Sequence, residues 1–176
     1  MTEEQKQRLE ELREEQYRKS QQDGLMDRLN SIIPEQSYSF LSPEYSNTFQ
    51  NQTDPWPKLK WEKELYVQTE MSNPGIVTTI LAHFLKLNPH NYTYLFFMNF
   101  HFGLVKIDND VLFTKWPALV EADGDEILCF LPHRSDYICI ERLEEKMVGK
   151  EELGYHWLYE VTFSNEHIKS ELMTEG

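Results

Sequence analysis

The apolar positions of this chain follow two periods. Around residues 72–89 they recur every three or four residues: Ile76, Val77, Ile80, Leu81, Phe84 and Leu87. That spacing puts them on one face of an α-helix. Ser72-Asn73-Pro74 offers a capping residue and a first-turn proline, and Pro89 lies beyond the end. His83 falls on the polar side with Thr79 and Lys86 and is expected at the surface. From residue 92 the period is two. Tyr92, Tyr94, Phe96, Met98, Phe100 and Phe102 alternate, while Leu95 and Phe97 on the other face give way to Asn99 and His101. At Gly103 the phase breaks, as at a bulge or tight turn.

The remaining strand-like runs are 111–116, entered through Asp108-Asn109-Asp110, then 127–131, 136–143 and 155–163. Asp123-Gly124 reads as a hairpin turn. Ile127-Leu128-Cys129-Phe130-Leu131 is apolar on both faces and therefore predicts a central strand. Residues 144–153 read as a charged excursion with a helical turn or two. Ser164 should cap a terminal helix carrying Ile168, Leu172 and Met173.

The N-terminal third shows such a period only over a short stretch. Residues 2–22 are mostly Glu, Gln, Lys and Arg, with Leu9, Leu12 and Tyr17 as the apolar interruptions. Glu4–Arg8, Glu14–Arg18 and Glu15–Lys19 are i,i+4 pairs that support a solvated helix, each by roughly 0.2–0.5 kcal/mol. Gly24 is expected to break this arm before a short helix built on Leu25, Met26, Leu29, Ile32 and Ile33, stopped by Pro34. Residues 34–57 hold four prolines and five scattered aromatics, as in a long loop held against a surface. Residues 58–69 lean towards helix. Helices first and strands afterwards predict an α+β fold: an antiparallel sheet of about five or six strands in the C-terminal two-thirds, helices packed on one face, and a charged helical arm in front. The expected division is an arm, 1–22, and a single domain, 23–176.

Charge narrows the partner. The chain carries −13, and residues 101–176 hold 16 acids against 7 bases. Such a field repels phosphate backbones and anionic bilayers and attracts a basic protein. Neither nucleic acid nor a membrane is expected as a partner, whereas residues 1–22 offer a route to self-association. The start, Met-Thr-Glu-Glu-Gln, has no apolar stretch of a secretory leader. The two cysteines, Cys129 and Cys139, are no disulfide framework, and a cytoplasmic protein is expected.

Chemical signatures are weak. His133-Arg134-Ser135-Asp136 are consecutive turn residues, whereas catalytic triads converge from separate elements. Cys129 lies between Leu128 and Phe130, the setting of an inert core thiol. Neither cysteine nor histidine spacing suits zinc, and Glu121, Asp123, Asp125 and Glu126 lack the spacing of a calcium loop. No cofactor, metal or catalytic residue is assigned.

Two constellations remain. The acids Asp108, Asp110, Glu121, Asp123, Asp125 and Glu126, together with Trp56, Trp61 and Trp116, form the candidate partner surface. Asn99 and His101, on one face of an apolar strand, form a candidate small-molecule pocket. The leading expectation is an acidic protein-binding module, of the inhibitor or immunity type that masks a basic partner. The alternative is a ligand-binding domain or enzyme centred on Asn99 and His101.

Overall fold

The computed structural model describes residues 2–53, 66–97, 103–132, 136–146 and 155–164. The fold is α+β. Helix α1 (Glu3–Ile32) leads through a 3-10 turn (Glu35–Ser37) to strand β1 (Tyr38–Phe40) and helix α2 (Pro43–Thr53). Strand β2 (Tyr66–Glu70), helix α3 (Gly75–Lys86) and strands β3 (Tyr92–Phe96) and β4 (Leu104–Asp108) follow. Helix α4 (Asn109–Ala122) then precedes β5 (Glu126–Phe130), β6 (Tyr137–Lys146) and β7 (Tyr155–Phe163).

The seven strands form one sheet in the order β1-β4-β3-β5-β6-β7-β2, and every neighbouring pair is antiparallel. β5, the strand apolar on both sides, is the fourth of seven. Its residues Ile127 and Cys129, with the following Leu131, enter one apolar cluster while Leu128 and Phe130 enter another. The alternation of a strand thus divides the interior into two layers. The larger, inner layer packs α1, α3 and α4 against the sheet through Leu25, Leu29, Ile80, Leu81, Phe84, Leu112 and Trp116. The outer layer holds α2, whose Phe49 meets Tyr94 and Phe130 edge-on with centroids 5.3 and 5.4 Å apart. Among the described helices, α2 therefore lies across the sheet from the other three.

Several sequence expectations change. α1 runs unbroken through Gly24, because the next turns bury Leu25 and Leu29 against the domain. That docking outweighs the roughly 1 kcal/mol intrinsic cost of glycine in a helix. The arm begins in a capping box between Thr2 and Gln5, and residues 3–17 are exposed throughout. Of the expected loop 34–57, the described residues 34–53 are not one loop, and residues 54–57 lie outside the described residues. Ser42 accepts from the Tyr45 backbone N–H at 3.2 Å, capping α2, and Tyr38 and Phe40 pair with β4. Residues 66–70 form an edge strand on β7 rather than the end of a helix, a pairing about ninety residues away that local composition does not announce.

Residues 111–116 belong to α4 rather than to a strand. Leu112, Trp116, Leu119 and Val120 recur at helical spacing and are all buried. Pro117 inside that helix, together with Val111, Phe113 and Trp116, masks the period. β6 continues through Lys146, past the point where the charged excursion was expected. His83 is 6% exposed and belongs to the interior rather than the surface. Residues 133–135, 147–154 and 165–176, with the expected terminal helix, lie outside the described residues.

The phase break at Gly103 has a structural cause. Its φ is +124°, and a Cβ there would stand 2.6 Å from Ser46 Oγ. Glycine tolerates both the backbone conformation and the close approach. Ser46 Oγ accepts from the Leu104 N–H at 3.1 Å, fastening α2 to the outer face.

Candidate protein-binding face

The acids singled out in the sequence do not gather into one hairpin tip. Asp108 ends β4 and Asp110 lies in the first turn of α4, both exposed. Glu121 lies in the last turn of the same helix, roughly 16 Å away along its axis. Asp123-Gly124 joins this helix to β5 and is not a hairpin; Asp123 is fully buried. Arg142 ties this junction together. Its guanidinium pairs with Glu121 at 2.6 Å and with Asp125, and lies 5.0 Å over the Trp157 ring. Arg28 adds a bond from Nη1 to the Ala122 carbonyl at 2.8 Å. Glu121 and Asp125 are therefore already matched by a cation of their own chain.

Trp116 is 2% exposed. It packs edge-on against Tyr159 at 4.9 Å and donates from Nε1 to Thr78 Oγ1 at 3.3 Å. It is a core anchor and offers no surface to a partner. Trp56, Trp61, Asn99 and His101 lie outside the described residues. Cys129 and Cys139 occupy opposite faces of the sheet, in different clusters, so their adjacency across β5 and β6 cannot bring the sulfurs together. Burial pushes both thiols up, further from the reactive thiolate.

Of the expected surface acids, Glu126 leads to a constellation that the sequence alone does not reveal. On the outer face it stands opposite Glu141, and Glu141 stands opposite Glu160 on β7. β2 continues the line with Gln68, whose Nε2 donates to Glu160 Oε2 at 2.8 Å. Three carboxylates on adjacent strands thus span roughly 10 Å. All three are half-buried. Leu128 and Cys139 border the row on one side, and Leu143 and Leu158 on the other.

The electrostatics are costly. Like charges directly opposed across strands destabilise a sheet. Among the described residues no lysine or arginine forms an ion pair with Glu126, Glu141 or Glu160. The middle member shows the effect: burial, then the Glu126 and Glu160 carboxylates, raise the Glu141 carboxyl above the ordinary glutamate value. The Cys139 thiol donates to Glu126 Oε1 at 3.3 Å, a weak neutral donor where a cation is lacking. The strands line the carboxylates up rather than converging them. Among the described residues no group of three or more His, Cys, Asp or Glu could hold a metal ion. Nor, within those residues, is any helix long and apolar enough to cross a membrane.

No protein-family model, curated protein or solved structure matches the chain. Glu141, Glu160 and Gln68 escaped sequence reasoning because only strand register makes them neighbours. The available signal was parity: each falls on the face of its strand opposite the inner-core residues.

Proposed function

We propose that the chain is a protein-binding module that receives a basic partner on the outer face of β5, β6, β7 and β2. The row Glu126–Glu141–Glu160 carries this reading. Three half-buried carboxylates held in line, with no cation paired to them among the described residues, cost stability in the isolated chain. Cationic side chains laid along them would relieve the repulsion and find the carboxylates already partly desolvated. Of the bordering leucines, Leu128 and Leu158 are buried within the chain, and the part-exposed Leu143 supplies apolar contact beside the charges. The net charge of −13 would speed the encounter with such a partner. An inhibitor that masks a basic enzyme uses a face of this kind.

The test compares the association rate of a basic protein captured from the native lysate with the parent chain and with the triple variant Glu126→Gln, Glu141→Gln, Glu160→Gln. The expected result is slower association of the variant and a flattened dependence on salt between roughly 0.05 and 0.5 M, where screening steepens. Asp108→Asn with Asp110→Asn, remote from the row, should leave the rate nearly unchanged. A triple variant that binds as fast as the parent, with the same salt dependence, would overturn the reading.

A further inference from the structure

The glutamate row ends at the edge of the sheet. β2 pairs with β7 on one side and, among the described residues, is the last strand in the order. Backbone alternation shows which of its groups face away from β7. The Met71 N–H donates to the Trp157 carbonyl at 3.2 Å, so the odd positions, 67 and 69, bond towards β7. In an antiparallel ladder the even positions then point the other way. The N–H and C=O of Gln68 and the N–H of Glu70 are therefore directed to the outer edge; the Glu70 carbonyl accepts from Asn73 at 2.9 Å. An outward edge of this kind is a template for another strand. Here its central residue, Gln68, is also the terminal member of the glutamate row.

We propose that the partner docks by strand addition: an extended segment of a basic protein pairs antiparallel with β2, placing a lysine or arginine opposite Gln68, in line with Glu160, Glu141 and Glu126. The inference rests on the basic-partner reading and specifies how that partner is held. The added residue opposite Gln68 exchanges two backbone bonds with it, and its side chain lands on the outer face. It lies one strand spacing from Gln68 and two, about 10 Å, from Glu160. Residues opposite Val67 and Thr69 turn to the inner side, where Val67 packs against the core and Thr69 is buried. β-Branched apolar residues suit those positions. The residue opposite Glu70 returns to the outer face beside a carboxylate and is again basic. Read along the incoming strand, the preferred sequence is basic, β-branched, basic, β-branched.

The experiment uses the full chain and three blocked peptides. The first contains Lys-Val-Lys-Val, the second is the same peptide with the backbone amides of its edge-pairing residues methylated, and the third contains Glu-Val-Glu-Val. Binding is read by titration and by amide hydrogen exchange. The expected result is binding of the first peptide alone, at least tenfold slower exchange of the Gln68 and Glu70 amides on binding, and at least tenfold weaker binding to Gln68→Pro. Proline at that position removes an outward donor and leaves the ladder to β7 intact. Equal binding of the methylated peptide, or unchanged exchange at Gln68, overturns strand addition. If both lysine peptides bind equally and both lose affinity for the triple glutamine variant, the basic-partner reading survives while the docking mode fails. If neither lysine peptide binds, and the triple variant associates with the captured protein as the parent does, both fail.

Discussion

Arg142 and Glu141 are consecutive residues of β6 on opposite faces of the sheet. On the inner side Arg142 pairs with Glu121 and Asp125 and lies over Trp157, so that junction closes its own charges. On the outer side Glu141 is bracketed by Glu126 and Glu160, and its carboxyl is raised by burial and by those two neighbours. The inner junction is stabilised by its charges; the outer row is stressed by them. Acids of one chain thus do opposite work according to what the register sets across from them. Charge already matched within the chain offers little to a partner. Charge that no cation among the described residues matches, held half out of water, is what the proposed basic partner would meet.

The apolar part of the outer face gives the largest effect. Phe130 is 1% exposed and meets Phe49 at 5.4 Å and Tyr137 at 6.3 Å. Replacing it with alanine should cost about 3–5 kcal/mol in urea unfolding. A cost below about 1 kcal/mol would show that the stability of the sheet lies entirely on its inner face, and the contrast would then be one of core against surface.

Next in size is Arg142→Ala. Its side chain is 20% exposed, between the limits of a surface pair and a buried one, while its partners Asp125 and Glu121 are 33% and 58% exposed. The expected loss is about 1–2 kcal/mol, between the roughly 1 of an exposed pair and the roughly 3–5 of a buried one. Denaturation at low and high salt measures it. A variant as stable as the parent would mean that the inner acids are as unrelieved as the outer ones.

The smallest effect has the opposite sign. Glu141→Gln should stabilise the chain at neutral pH by about 0.2–1 kcal/mol, the scale of a cross-strand pair. Because the folded carboxyl is raised, the native state holds its proton more tightly than the unfolded chain. Protonation therefore favours folding, and that contribution is lost as pH rises through the folded value. The advantage of glutamine should accordingly be largest above that value and shrink as pH falls towards the ordinary glutamate range. Unfolding curves at several pH values test this. A Glu141→Gln chain less stable than the parent at neutral pH would show that the row is satisfied within the chain.

The strands and helices with a strong local period were legible from the residues alone. α3 carries its buried stripe from Val77 to Phe84, β5 is apolar on both faces and sits at the centre, and β7 sends Tyr159, Val161 and Phe163 into the inner core. Composition likewise determined the acidic charge and excluded a disulfide framework. Local period failed where two signals overlapped, as in α4, whose β-branched and aromatic residues and internal Pro117 resemble a strand. It also failed where the stabilising contact was distant: β1 on β4, β2 on β7, and α2 on the outer face through Phe49 and Ser46. The candidate site belongs to this second kind. Glu126, Glu141 and Glu160 are separated in sequence by 15 and 19 residues, and nothing local to any of them marks it as one of a row. Period-two alternation assigns each glutamate a face, which is a property of its own strand. Which glutamate stands opposite which is set by register, and register is decided by packing the whole sheet against its helices.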